Sequence, residues 1–528
     1  MRTPRHVLSA FLLVAAGALP LSAEITKGPY LQNPGTTEMT VMWVTDAPGD
    51  AVLSYGEKSP DTKITVQPGE AVTHEKAWKD KETLAKSWFY EVRLKGLKPG
   101  TTYRYQVEAG QDRSRETFFE TVPAQVGKFT FIAYGHSRSY GDQPHVAHQK
   151  VAANFDKHKP AFILHSGDLV YEGSRHYEYK TMFFDPLRDV IDHIPLWPVR
   201  GNHEYEGAAV CEFARFFSLP GNELYYSFDY GNAHFVMLDD VASPEMLRWC
   251  EQDLAASKAT WKIAVFNTPA YDLGRNLCGS FRPYLPLFRK YGLDLTLATD
   301  MYPYQRFVPL QPMSDLTSKP ITHIVTAGGA TLNYEVSDTH PYLAAVARVH
   351  YFCYMVFTVD GPKLSAEAFD IDGKKIDGFS ITQEDGTYDR DYLALVKPEE
   401  PIQAEIFVRQ WRLRVKRDAV LAKGVPIDIR LEVPEWAPPE SIRGDMRITF
   451  RVAPDSAADY RLQPEAVETT LKQGQKWIRE VPVTLVPLRD VAAITGGRPK
   501  PDLLLEISYE FGTYKGKFVA KPTGWIRD

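Results

Sequence analysis

Short alternating runs occupy both ends of the chain, and unbroken apolar runs fill its middle. Between residues 24 and 124, Met39, Val41 and Trp43 alternate with Thr40, Met42 and Val44, the period of a strand with one face on a core. A Pro99-Gly100 turn then feeds Thr101–Tyr105, where aromatic and polar residues alternate again. From 128 to 385 the runs Phe129–Tyr134, Phe162–His165, Leu196–Val199, His234–Leu238, Trp261–Phe266 and Leu293–Ala298 read as short buried strands. Amphipathic stretches such as Val146–His158 lie between them, and this alternation predicts an α/β layered domain. The polar stretch Pro398-Glu399-Glu400-Pro401 marks a boundary. Beyond it, residues 403–528 return to short strands: Ile406–Val408, Ile427–Val433, Met446–Val452, Val481–Leu485 and Leu503–Tyr509. The fold class is therefore multidomain, with a β-sandwich, an α/β layered domain and a C-terminal, sandwich-like all-β domain.

Length agrees with this division, since 528 residues exceed what one core supports. A net charge of −6 excludes an electrostatic nucleic-acid binder. Residues 1–23 read as a signal peptide: Arg2 and Arg5 precede the apolar run Val7–Leu19, and Leu21-Ser22-Ala23 offers a small-residue cleavage site. A retained N-terminal anchor is the alternative. No other apolar stretch approaches the ~20 residues of a spanning helix, so no membrane span is expected after processing. The expected location is a bacterial periplasm or the exterior. There Cys211, Cys250, Cys278 and Cys353 can pair in three ways or stay free and buried, and none belongs to a zinc-type cluster.

The chemistry is concentrated in two turns. Gly167-Asp168-Leu169-Val170-Tyr171 and Gly201-Asn202-His203-Glu204 each follow a buried-strand run. A carboxylate in one strand-to-loop turn and an Asn-His pair in the next resembles the calcineurin-like metallophosphoesterases, specifically their purple acid phosphatase branch. The resemblance extends to Tyr226–Asn232 and to the Thr326-Ala327-Gly328-Gly329-Ala330 loop. Lys27–Gln32 resembles the opening of that branch's N-terminal domain, and Tyr103 resembles the tyrosine corner of a fibronectin-type sandwich. The resemblance implies an α/β/β/α layered domain and hydrolysis of a phosphoric ester by two cations about 3.5–4 Å apart. It further implies Asp168 as the bridging ligand, Tyr171 and Asn202 as ligands, and His203 on the phosphate. Arg138 and His148 fit the Gly-Asp-x-Arg and downstream His pattern of bacterial relatives, with Arg138 also on the phosphate.

Four positions depart from that pattern: His136 stands where the family has Asp, Asn267 where it has His, and Asp300 and Tyr302 where it has the two histidines of Gly-His-x-His. Tyr304 and Arg306 keep the register of the last comparison. All four replacements are themselves metal-ligating types. His136, Asp168, Tyr171 and Tyr302 would form a first position with two phenolates, a set that suits Fe³⁺. Asp168, Asn202, Asn267 and Asp300 would form an all-oxygen second position that suits Ca²⁺ or Mg²⁺. Two readings stay open. One is an exported phosphoesterase with an altered metal centre, acting on a phosphorylated small molecule. The other is a non-catalytic protein that binds metal or phosphate in an inherited pocket. A third class, a scaffold acting through the β domains, leaves the polar replacements unexplained. His165, His234 and His350 read as packing residues.

Overall fold

The computed structural model describes residues 23–77, 80–138, 146–206, 212–273, 282–300, 304–313, 315–326, 340–347, 353–409, 411–415, 422–433, 445–472, 479–490, 503–521 and 525–527. Residues 1–22 of the proposed signal peptide, Tyr302, Cys211, Cys278, His350 and most of the Thr326–Ala330 loop therefore lie outside the described residues.

The N-terminal unit is a sandwich of two sheets. One sheet orders its strands Ile25–Gln32, Glu38–Thr45, Asp80–Lys95 and Val72–Ala77. The other is built on Ala51–Gly56 and Thr102–Ala109. Trp43 stacks on Tyr90 in the core at 5.1 Å between ring centroids. The Tyr103 hydroxyl accepts the Lys98 backbone N–H at 2.9 Å, as a tyrosine corner does. Alternation along Glu38–Thr45 understates its burial, because residues on both faces are covered. The second face packs on the central domain, where Tyr30 and Met42 join the central core. The Tyr30 hydroxyl donates to the Phe216 carbonyl at 2.5 Å, and the Tyr105 hydroxyl donates to the Asp192 carbonyl at 2.6 Å.

Among the described residues, the central domain is a pair of seven-stranded sheets. In the first, Leu196–Pro198, Phe162–His165 and Phe129–Tyr134 run parallel, and Cys353–Asp360 follows antiparallel. In the second, Ala233–Met237, Trp261–Val265, Leu295–Ala298 and Thr322–Val325 run parallel. The sheets meet through aromatic side chains: Phe131 stacks on Phe357 of its own sheet and lies nearly perpendicular to Phe235 across the interface, 5.2 Å between centroids. Parallel strands buried on both faces read as continuous apolar runs, which is why these segments are visible in the sequence. The helix Pro244–Ala256 starts at Ser243, whose hydroxyl accepts the Met246 N–H at 3.1 Å.

The C-terminal unit packs the sheet containing Ile427–Val433 and Arg479–Pro487 against the sheet containing Met446–Val452 and Leu505–Phe511. One sequence expectation is corrected here. Ile406–Val408 is not a strand but the end of the helix Glu400–Arg409. A short apolar run cannot by its period distinguish a buried strand from a buried helix. This helix is buried all round: Ile402 and Ile406 pack into the central domain, and Ala404, Phe407 and Val408 pack into the C-terminal core. The preceding polar stretch is no solvated linker either, since Glu399 is 1% exposed and accepts from the Tyr271 hydroxyl and from Arg289. Cys250 and Cys353 are buried. Among the described residues no helix is long and apolar enough to cross a membrane.

Candidate functional site

The turns that leave the C-terminal ends of the parallel strands converge, the usual location of a site in open α/β sheets. Phe129–Tyr134 delivers His136 and Arg138, Phe162–His165 delivers Asp168 and Tyr171, and Leu196–Pro198 delivers Asn202 and His203. From the second sheet, Trp261–Val265 delivers Asn267 and Leu295–Ala298 delivers Asp300. The turns are tight enough to force left-handed backbone at His136 (φ 52°), Asp168 (φ 57°) and Asp300 (φ 47°). Each such non-glycine residue costs about 1–2 kcal/mol, and strain of this kind clusters at functional sites.

Ligand atoms of His136, Asp168 and Asp300 lie within 4.8 Å of one another, and all three residues are buried. Asp168 is the hub. His136 Nδ1 lies 2.9 Å from Asp168 Oδ2, a close contact rather than an aligned hydrogen bond. Arg138 Nε donates to the same oxygen at 3.2 Å, and the His203 backbone N–H reaches Oδ1 at 3.3 Å. Burial alone would raise the Asp168 carboxyl. The imidazole of His136 and the charge of Arg138 instead hold it well below the usual carboxylate range. Burial pushes His136 down to about 4, so the ring is neutral at pH 7 and able to ligate a cation.

Asn267 donates its Nδ2 to the Ser166 carbonyl at 3.2 Å and to Thr299 Oγ1 at 3.3 Å, which fixes the amide and leaves its buried Oδ1 without a donor. Asn202 Oδ1 is likewise buried and without a donor. Two orphaned amide oxygens beside two carboxylates and a neutral imidazole form a donor set suited to a hard or borderline cation. His203 Nδ1 faces the Tyr171 carbonyl at 2.7 Å, and the two rings lie 5.3 Å apart. The Arg138 guanidinium stands 5.4 Å from the Tyr171 ring. His136, Arg138, Asp168, Tyr171, His203, Asn267 and Asp300 are therefore neighbours, joined by Asn202 through the backbone.

His148, His165 and His234 sit apart in role. His148 bonds Tyr134 and the Met182 carbonyl, His165 bonds Ser137, and His234 lies between Asp229 and Asp253. Sequence reasoning missed two glutamates. Glu204 accepts the backbone N–H groups of Gly201, Asp168, Leu169 and Val170 at 2.6–3.2 Å. Glu178 Oε2 accepts those of Tyr171 and Glu172 at 2.9 and 2.8 Å. Burial and the nearby Asp168 push Glu204 up to about 8 while the N–H donors oppose them. Burial likewise raises Asp240, which accepts the Thr268 N–H, to about 6. Glu204 follows the Gly-Asn-His motif directly and could have been noticed there. Nothing in the sequence marks Glu178.

Two family descriptions match the chain: "Purple acid Phosphatase, N-terminal domain" over residues 27–121 and "Calcineurin-like phosphoesterase" over residues 141–301. Acid phosphatase type 7 of Mus musculus is 26% identical over 322 residues, covering 53% of this chain and 70% of that protein. "Probable inactive purple acid phosphatase 9" of Arabidopsis thaliana is 24% identical over 345 residues, covering 51% of this chain and 52% of that protein. The fold is shared with a purple acid phosphatase from yellow lupin (Lupinus luteus) seeds, with TM-score 0.55 and 20% identity over 69% of this chain and 75% of that one. With its two motif turns and the sheets that carry them, the chain matches the calcineurin-like phosphoesterases over residues 141–301 and the N-terminal domain of purple acid phosphatases over residues 27–121.

Proposed function

We propose that this protein hydrolyses a phosphoric ester at an altered metal centre. The observation that carries the reading is the convergence of His136, Asp168 and Asp300 beside the orphaned oxygens of Asn202 and Asn267. Fe³⁺ would be held by His136, Asp168 and Tyr171 together with Tyr302. Ca²⁺ or Mg²⁺ would be held by Asp168, Asn202, Asn267 and Asp300. Bound cations supply Lewis acidity to the phosphoryl oxygens and lower the pKa of water.

The chain's own residues set the geometry. The depressed Asp168 stays anionic across the physiological range and so is always ready to ligate. Arg138 adds fixed positive charge beside it, which favours a phosphate dianion. The Tyr171 carbonyl can only accept, so His203 carries a proton on Nδ1, which fixes the ring; when both nitrogens are protonated, Nε2 can donate to the leaving-group oxygen. The Arg2/Arg5 and Val7–Leu19 pattern supports export, and a periplasmic or secreted location belongs to the same proposal.

A second reading, binding without turnover, is favoured by the Arg138–Asp168 contact, which sets a tethered cation on the proposed bridging carboxylate. It is favoured too by the similarity to the Arabidopsis protein named "Probable inactive purple acid phosphatase 9". Purified protein assayed on a phosphomonoester and a phosphodiester, with Fe, Ca, Mn and Zn supplied separately, decides between them. Turnover lost in Asp168→Ala establishes the enzyme. Metal binding with no turnover under any metal establishes the binding protein.

A further inference from the structure

The five successive backbone N–H groups from Asp168 to Glu172 are all received by buried carboxyl groups: three by Glu204 and two by Glu178. Glu178 is fully buried, and its other oxygen accepts from Arg175 Nη1 at 3.0 Å. It ends the three-residue helix His176–Glu178, and that helix is gripped by the N-terminal sandwich. The ring of His176 stacks on His74, with 4.3 Å between centroids and 15° between planes. His74 is itself fixed, with Nε2 2.8 Å from Ser87 Oγ and Nδ1 2.9 Å from the Glu75 carbonyl. On its far side His176 Nε2 meets Glu212 Oε2 at 2.9 Å, and Phe89 of the sandwich lies edge-on to its ring.

We infer that Glu178 is a positioning residue for Tyr171, and that the N-terminal sandwich keeps it in register through the His74–His176 stack. The physical reason is the cost of the alternative. Without the Glu178 carboxylate, the N–H groups of Tyr171 and Glu172 lose a charged acceptor and stand unsatisfied in a partly buried turn. The Tyr171 ring, the Tyr171 carbonyl that fixes His203, and the Arg138 guanidinium over that ring would then lose their common support. This path makes the N-terminal sandwich part of the site's frame. The inference deepens the proposed function by giving that centre a support from outside its own domain.

Residue-resolved amide hydrogen exchange on the full chain, with chelator present, tests it without relying on metal. In Glu178→Ala the amides of Tyr171 and Glu172 should exchange at least about tenfold faster, while those of Asp168, Leu169 and Val170 keep their protection. Glu178→Gln keeps an oxygen acceptor and should restore most of the protection. His74→Ala should loosen the same two amides by a smaller factor and add nothing to Glu178→Ala. Unchanged exchange at Tyr171 and Glu172 in Glu178→Ala would overturn the assignment, as would uniform loosening of all five amides. No effect of His74→Ala would overturn the role of the sandwich. Absence of metal binding in the wild type would refute the proposed function and leave these outcomes readable.

Discussion

Gly201→Ala is a one-methyl test of how tightly the centre is built. Gly201 has φ −99°, a backbone any residue adopts, so the substitution carries no conformational penalty. Alanine even gains about 0.4–1 kcal/mol by restricting the unfolded chain. The obstacle is space. The added Cβ would lie 2.2 Å from Asp168 Oδ1, 2.6 Å from the Asp168 backbone nitrogen and 2.8 Å from Asn267 Cγ. Ordinary carbon contacts lie at about 3.5–4.0 Å, so Asp168 and Asn267 must move by roughly 1 Å. Overpacking of this kind costs about 1–3 kcal/mol, leaving a net loss of about 0–2.5 kcal/mol and a melting temperature lowered by several degrees at most. The functional cost should be far larger, because a displacement of about 1 Å at a reacting centre costs roughly a hundredfold. Calorimetric metal titration beside thermal unfolding would separate the two effects. Wild-type metal affinity and stoichiometry in a folded Gly201→Ala protein would refute the claim that Asp168 and Asn267 form the centre.

Other outcomes follow from the same geometry. In chelator, urea midpoints should fall as pH drops from 6.5 toward 4. Burial holds His136 and His74 at about 4 and His323 at about 3, so the stability they contribute is present above 6.5 and lost as the unfolded chain takes up protons. The raised Glu204 and Asp240 oppose this fall, so the rings are read directly: imidazole C–H signals of these histidines titrating near 6.5 would show that they are not buried as neutral groups. If the first cation is ferric, protein purified without chelator should be coloured by phenolate-to-iron charge transfer, and Tyr171→Phe should weaken the band while circular dichroism stays unchanged. Elemental analysis of colourless protein lacking iron would remove the ferric assignment. Phe407→Ala empties a site that is 1% exposed and should destabilise the C-terminal core by about 3–5 kcal/mol, read from denaturant unfolding.

The sequence carried the sandwich and the parallel strands well, because a strand such as Phe162–His165, buried along its whole length, leaves a continuous apolar signature. It carried the site where a motif forces a turn: Asp168 and Asn202 can be named from their glycines alone. It was weaker wherever a segment serves two neighbours. Thr40 and Met42 read as an outward face because no local pattern reports a second domain pressing on it. Ile406–Val408 read as a strand because burial from two sides erases the helical period. Glu178 was invisible for another reason, since its partners are backbone N–H groups in an irregular turn, and any residue type supplies those.

The helix Glu400–Arg409 bears on how the molecule comes apart. A helix whose opposite sides belong to two cores cannot leave one without exposing the other, so the central and C-terminal units share a single cooperative element. The stretch beginning at Pro398 has the composition of a cleavable joint, yet Glu399 is clasped there by Arg289 and Tyr271. Proteases that cut flexible linkers should find no purchase at 398–409. A fragment ending at 398 would strip Ile402 and Ile406 from the central core, and one beginning at 410 would strip Phe407 and Val408 from the C-terminal core. The third domain is thus coupled by a shared wall to the half of the molecule that bears the site, and loss of that domain would be felt there as loss of stability.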